Sequence, residues 1–488
     1  MSEVPIRSVL NALKSEFIEN KSRMKDFMSI CISTVFNGLG VPKDTYVAQE
    51  SGYFERLLKQ GINEKGTLCL ITGSSKTGKT SLYNNVLAGM NRVPILVRCD
   101  SSLTSMEFWA RPLEAIDFSR IKEIEQSTET EIQATAKVGG TIGWAWLAGL
   151  IGEVSLGIKG KKEEVEIREK ILAKPSASHL IPLLKNSNAL LVIEDFHYLA
   201  ENVQREVFQQ WKSFTDEQVS VIVVGTTHHG VDLAYANQDL VGRIQQVDLK
   251  RWSDVDLLSI AQKGFKKLNQ EIPVPTMQFI AKECAGLPIL MQQTCSQLFF
   301  DKNIETVAPE DKVSFTKTNA TSALYNVATT RYRQFETWYA RLTVGPRKKA
   351  RKYDTYELIL AIFTQDPPKF NLYRHEIDER LVSAGLDIIK MPPTASINST
   401  LRALAEFQRK NGFSLLEWSS KDQAIYVLEP AFLFYLRWRE RKTVLPSVFE
   451  TMLKSLLGWS LENLQEKVVL TSSLSQDTKE TKNPDTTS

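Results

Sequence analysis

The stretch GSSKTGKTS, residues 73–81, fits the pattern G-x-x-x-x-G-K-[ST] once in the 488 residues of this chain. That spacing makes a phosphate cradle. Gly73 and Gly78 let the backbone turn tightly, so that successive N–H groups through Ser74, Ser75, Lys76 and Thr77 converge on phosphate oxygens. A helix opening at the loop adds its positive N-terminal end. Lys79 is then placed to reach β- and γ-phosphates, Thr80 offers a hydroxyl to Mg2+, and Ser81 starts the helix beside it. The chemistry implied is binding of ATP with magnesium.

A phosphate loop of this kind needs an acidic partner. ALLVIEDFHYL (189–199) supplies five apolar strand residues and then Glu194 and Asp195. A carboxylate at the end of such a strand can join the magnesium shell, and a second one can polarise an attacking water. Glu194 is assigned to the metal side and Asp195 to the water side, with the reverse assignment left open. A later run, VVGTTHHG, ends in Thr226 and Thr227, which can sense a γ-phosphate or orient water, or can be a plain strand-ending turn. His228 and His229 point different ways from an extended backbone and are expected at the surface.

The elements that position these residues alternate. TLCLIT (67–72), PILVRC (94–99), ALLVI (189–193) and VSVIVVG (219–225) are short, apolar and rich in β-branched residues, with IQQVDL (244–249) as a candidate fifth strand and helical patterns between them. This predicts an α/β fold, a parallel sheet covered on both faces. Residues 6–40 and 46–62 carry helical patterns. From Ser253 the pattern is helical only: SDVD (253–256) starts one helix, a second begins near Pro275 and a third ends near Phe300. These make an α-helical lid.

Taken together, the entry YVAQESGYFERLL, the GSSKTGKTS loop, VIEDFHYL, VVGTT, LVGRIQQVDL and ECAGLPILMQQ resemble P-loop ATPases of the AAA+ and STAND type, in particular origin-recognition-like ATPases. The resemblance covers roughly residues 45–300. It implies that Tyr46 and Val47 lie over the adenine and that Pro288 of the Gly-Leu-Pro turn packs near the base. It also implies that Arg243 reaches a neighbouring copy's site as a finger, although a surface arginine is the commoner fate of a loop arginine. The chain departs from the pattern at Ala48, Gln49 and Glu50, where a Gly-Arg-Glu is usual. It departs again at His228, where STAND proteins often carry arginine.

Residues 353–445 have three helical patterns followed by FSLLEW (413–418) and AIYVL (424–428), and resemble a C-terminal winged helix. Ser396 is the expected N-cap of its third helix, which carries Arg402, Gln408, Arg409, Lys410 and Asn411 at polar positions. The module itself balances twelve basic against twelve acidic side chains, whereas residues 331–352 hold eight Lys/Arg against one Glu. DNA contact is therefore expected through Arg347, Lys348, Lys349, Arg351 and Lys352, with a solvated linker as the plainer reading.

The expected organisation is a helical segment at 1–44, a P-loop core at 45–250, a helical lid and connector at 251–345, the winged helix at 346–445, and a helix with a polar tail at 446–488. An insertion at about 101–180 interrupts the core. It contains GGTIGWAWLAGLIG (139–152), which is too short to span a bilayer. Its alternating flanks suggest a β-hairpin whose tip, bearing Trp144 and Trp146, packs on its own domain or projects as a contact. A net charge of +3 excludes a global basic field, and five dispersed cysteines fit a reduced, cytoplasmic protein. The expected function is a nucleotide-dependent switch with slow ATP hydrolysis that binds DNA, assembles with itself or engages a partner protein. The alternatives are a signalling or defence STAND protein without DNA binding, and a transposition-helper-like ATPase.

Overall fold

The structure, a computed structural model, describes residues 29–115, 175–185, 187–225, 240–344, 354–383 and 392–440. The apolar stretch with Trp144 and Trp146, the threonines Thr226 and Thr227, the basic run 345–352 and the segments 1–28 and 441–488 lie outside the described residues. The chain divides into two compact units. One comprises 33–269 with 286–292; the other takes the remainder. Residues 251–269 thus group with the core and not with the rest of the expected lid.

The first unit is built on five parallel strands: β1 (Leu68–Gly73), β2 (Val93–Arg98), β3 (Ala189–Glu194), β4 (Val221–Val224) and β5 (Ile244–Leu249), in the order β2-β3-β4-β1-β5. The three inner strands are buried along their whole length, and the two edge strands only in part. This is why the inner strands read as unbroken apolar runs while IQQVDL carries polar residues: an edge strand has one open flank. The period of two then builds two core layers. Leu68, Leu70, Leu191, Ile193, Val221 and Val223 face one cluster with Trp109, Phe196, Trp211 and Phe214. Cys69, Ile71, Leu190, Val192, Ile222 and Val224 face the other, with Phe54, Leu58, Leu82 and Val86. Each of these side chains contributes about 1.5–3 kcal/mol by leaving water.

The second layer is covered by α1 (Tyr53–Asn63) and α2 (Lys79–Gly89). The first is covered by α3 (Ser105–Ala115), α4 (Ala177–Lys185) and α5 (Glu201–Asp216). The helix α6 (Asp254–Lys267) starts as the SDVD pattern predicts, with Ser253 Oγ accepting from Asp256 N at 3.0 Å. Two expectations fail. Residues 46–52 are not helical, because Glu50 and Ser51 take positive φ and form a kinked turn before α1. Of residues 29–40, only Ile32–Val35 makes a helical turn, and Ile30–Cys31 pairs as a short strand with Thr306–Val307.

The second unit contains α7 (Val274–Glu283), most of α8 (Pro288–Phe300), α9 (Lys317–Asn326) and α10 (Gln334–Val344). After these come α11 (Thr355–Ile362), β6 (Asn371–Tyr373), α12 (Arg374–Ser383), α13 (Thr394–Lys410), β7 (Leu416–Ser419), β8 (Ala424–Val427) and α14 (Pro430–Trp438). The three strands form an antiparallel sheet in the order β6-β8-β7. Strand β6 is too short to leave a sequence pattern. Ser396 is not the N-cap: α13 starts at Thr394 after Pro393, whose fixed φ suits a helix entry, and Ser396 Oγ lies 3.2 Å from Thr355 Oγ1. Gln408 does not face outward. It is 1% exposed and bonds the backbone of Leu404, Leu415 and Leu416, stitching α13 to β7. Deep in this unit Arg437 joins Glu283, Asp366 and the Thr364 carbonyl, while Trp438 Nε1 donates to Glu283 at 2.9 Å.

Candidate functional site

The loop leaves β1 at Gly73, which takes φ 144° because a Cβ there would stand 2.7 Å from the Leu249 carbonyl of β5. The neighbouring strand runs so close that only glycine fits. Thr77 is buried and turns inward, its Oγ1 donating to Ser74 O at 2.8 Å, so it braces the loop. Gly78 is the left-handed N-cap of α2. Lys79 Nζ lies across the loop, donating to Gly73 O at 2.9 Å and Ser74 O at 2.7 Å. A cation, a bent loop of amides and a helix N-terminus therefore converge, which is the arrangement that attracts a polyphosphate.

Strand β3 is separated from β1 by β4, yet its last residue reaches the loop. Glu194 Oε1 accepts from Thr80 Oγ1 at 2.8 Å and from Tyr83 Oη at 3.0 Å, and Glu194 Oε2 lies 3.4 Å from Arg98 Nε. A hydroxyl and a carboxylate in contact beside a phosphate loop form an all-oxygen donor set. This set suits Mg2+, which takes one or two carboxylates and fills its remaining positions from phosphate and water. Glu194 and Thr80 are the residues that would hold it. Asp195, with φ 58°, turns out of the strand and is exposed. Partial loss of hydration, then the Glu194 carboxylate, raise its pKa from the ordinary aspartate value, against the lowering pull of Lys79 and Arg98. Among the described residues no cluster of three His, Cys, Asp or Glu side chains could hold a metal.

A cavity of about 460 Å³ continues from Lys76, Gly78, Lys79, Thr80 and Ser81. Its far walls are residues 37–42, Thr45, Tyr46 and Val47 on one side and Pro288, Ile289 and Gln292 on the other, with Phe54, Leu249 and Ile260 between. Tyr46 and Val47 line it, as does Pro288. Tyr46 Oη donates to Glu55, and burial followed by that carboxylate holds the phenol far above its ordinary pKa. The Gly-Leu-Pro turn is fixed from below. Gly286, at φ 81°, lies against Arg251, whose Cγ would stand 2.0 Å from an added Cβ, and Trp252 N donates to Gly286 O at 3.1 Å. Trp252 also sends its Nε1–H to Thr77 O at 2.8 Å, so this residue, three past the end of β5, ties the turn to the phosphate loop.

Of the sequence-derived candidates, the structure brings together Lys76, Gly78, Lys79, Thr80 and Ser81 with Tyr46, Val47 and Pro288 around one cavity, with Glu194 bonded to Thr80. Gly73, Ser74, Ser75 and Thr77 frame the loop behind it. Arg243 is elsewhere. It precedes β5, whose first residue pairs with Leu68, so six residues of strand separate it from the loop, about 20 Å. There it pairs with Asp216 at 3.3 Å. It contributes nothing to its own chain's site. Sequence reasoning missed Arg98, Tyr83, Trp252 and Gln292. Arg98 faces Glu194 because β2 and β3 are in register at that pair, and register cannot be read from one strand's pattern.

No protein-family model and no curated protein matches the chain. Solved structures similar to it include the Walker-type ATPase of Pyrococcus abyssi, at 14% identity and TM-score 0.45 over 81% of this chain and 100% of that one. The ORC1 protein of Aeropyrum pernix in complex with DNA is similar at 11% identity and TM-score 0.38, over 88% and 97%. The RuvB Holliday junction branch migration motor of Thermotoga maritima is similar at 11% and 0.34, over 80% and 97%. At these identities and scores they assign neither activity nor partner to this chain. The P-loop fold stands on the chain's own topology: five parallel strands, a glycine-bounded loop after the strand between β4 and β5, and an acidic residue at the end of β3 bonded to the threonine that follows the loop lysine.

Proposed function

We propose that the chain binds ATP with Mg2+ and acts as a nucleotide-dependent switch that hydrolyses ATP slowly. The observation that carries this is the 2.8 Å contact between Thr80 and Glu194, one residue from Lys79 at the mouth of the loop. Lys79 exchanges the two loop carbonyls for phosphate oxygens. Thr80 and Glu194 hold the metal, which supplies charge neutralisation on the phosphates when bound. Asp195, exposed and less acidic than an ordinary aspartate, accepts a proton from water. ATP hydrolysis with and without Mg2+, measured on the wild type and on Asp195→Asn, tests this; a variant with full turnover removes Asp195 from the reaction.

The output of the switch is assembly with a partner or with a second copy, or binding of DNA. Arg243, remote from its own loop, is available to a neighbour. In α13, Arg402 and Arg409 are exposed, which supports DNA contact, and the order of elements from α11 to β8 is compatible with a winged helix. Two observations favour a protein-facing module instead: Gln408 is spent inside the fold, and Lys410 pairs with Glu406 at 2.7 Å. A DNA titration with ATP, ADP and no nucleotide separates the two. Binding that falls with salt and weakens in Arg402→Ala/Arg409→Ala supports DNA. Absence of binding at low salt supports a protein partner.

A further inference from the structure

Three cations among the described residues line the cavity, and only two of them belong to the phosphate loop. Lys76 and Lys79 come from residues 73–81, whereas Arg98 ends the edge strand β2. Its backbone is held from two sides. Cys99 N donates to Glu194 O at 3.0 Å, continuing the pairing of β2 with β3. Arg111 of α3 donates through Nη1 to Arg98 O, while its Nη2 pairs with Asp100 at 2.8 Å. The Arg98 side chain is not held in this way. It is 72% exposed, and its one polar contact among the described residues is Nε on Glu194 Oε2 at 3.4 Å. Both Nη groups are left over. An exposed ion pair with a single contact contributes at most about 1 kcal/mol, so stability does not account for an arginine here. Its charge also reaches Asp195, where it opposes the burial and the Glu194 carboxylate that raise that residue's pKa.

On the reading that the loop holds the phosphates of ATP, those phosphates have a direction. Lys79 reaches the β- and γ-phosphates, and Thr80 with Glu194 takes the metal that joins them, so the terminal phosphate ends on the Glu194 side. Arg98 stands on that side, in contact with the carboxylate. We propose that Arg98 is the residue that distinguishes ATP from ADP. Its Nε stays on Glu194, and its two Nη groups donate to γ-phosphate oxygens, which ADP lacks. A guanidinium suits this task, because its planar fork serves a carboxylate and a phosphate at once, and the point charge of a lysine does not. The arginine comes from the chain's own edge strand, so the discrimination needs no second copy.

The test is calorimetric titration of the full chain with ATP and with ADP in EDTA, for the wild type, Arg98→Ala, Glu194→Gln and the double variant. Arg98→Ala is expected to lower ATP affinity about tenfold or more and ADP affinity by less than about twofold, and the loss for ATP is expected to persist in the Glu194→Gln background. Arg98→Lys is expected to recover only part of it. Retained ADP binding shows that the variant is folded. Unchanged ATP affinity in Arg98→Ala overturns the inference. So does an equal loss for ATP and ADP, which makes Arg98 a general attractor of phosphate. A loss that vanishes in the Glu194→Gln background overturns it too, because Arg98 then acts only by offsetting repulsion between that carboxylate and the terminal phosphate. If the wild type binds ATP and ADP alike and Lys79→Ala binds neither, the phosphate-loop reading stands and the role of Arg98 falls. If the wild type binds neither nucleotide, both fall.

Discussion

Replacing Glu194 by Gln removes one negative charge at nearly constant volume. The amide oxygen still accepts from Thr80 and Tyr83, so those two bonds, at 2.8 and 3.0 Å, survive. What is lost is the attraction to Arg98, whose side chain is 72% exposed and free to turn to solvent, so folding stability changes by about 1 kcal/mol or less. The effect on metal is larger, because the buried carboxylate that touches Thr80 has become neutral. Magnesium should strengthen ATP binding in the wild type and do so about 10–100-fold less in the variant, about 1.4–2.7 kcal/mol. Turnover should fall with it. The assay is ATP titration at fixed magnesium and in EDTA, with phosphate release measured in parallel and thermal melting as the control. A variant with wild-type magnesium dependence and wild-type turnover would refute the assignment of Glu194 to the metal.

Further predictions rest on other contacts. Trp252→Phe leaves the Thr77 carbonyl without its donor, and should cost about 1–3 kcal/mol in denaturant unfolding and weaken ATP binding; no change in either would remove Trp252 as a brace. Gly286→Ala forces a left-handed residue against Arg251 and should lower stability by about 1–3 kcal/mol, checked by thermal melting. Asp195 has its folded-state pKa raised above the unfolded value, so the folded state holds the proton more tightly, and stability falls as pH rises from the unfolded pKa through the folded one. Asp195→Asn should therefore be the more stable protein at neutral pH, with the gap closing in acid; the opposite trend in melting temperature against pH would contradict the cause assigned.

The five sheet strands were legible because each is either an unbroken apolar run or, at the edge, a broken one, and burial follows that division strand by strand. The phosphate loop was legible because its glycines, lysine and threonine stand at fixed spacing within nine consecutive residues. Contacts that depend on register and tertiary packing were not. Arg98 meets Glu194 only because two parallel strands pair in one register, and Gln292 meets Thr45 across 247 residues of chain. Gln408 read as surface because a glutamine on a helix usually is, yet it satisfies backbone groups that β7 leaves open. The kink at Glu50 and Ser51 escaped notice because the apolar spacing of α1 extends backward through it, and spacing alone does not report φ.

The proposed switch depends on residues 73–81 binding the triphosphate. Calorimetric titration of Mg2+-ATP into the wild type and into Lys79→Ala tests it most directly. Saturable binding at one site per chain is expected in the wild type, with at least a hundredfold loss in the variant, about 2.7 kcal/mol. Equal affinities in the two proteins would contradict it.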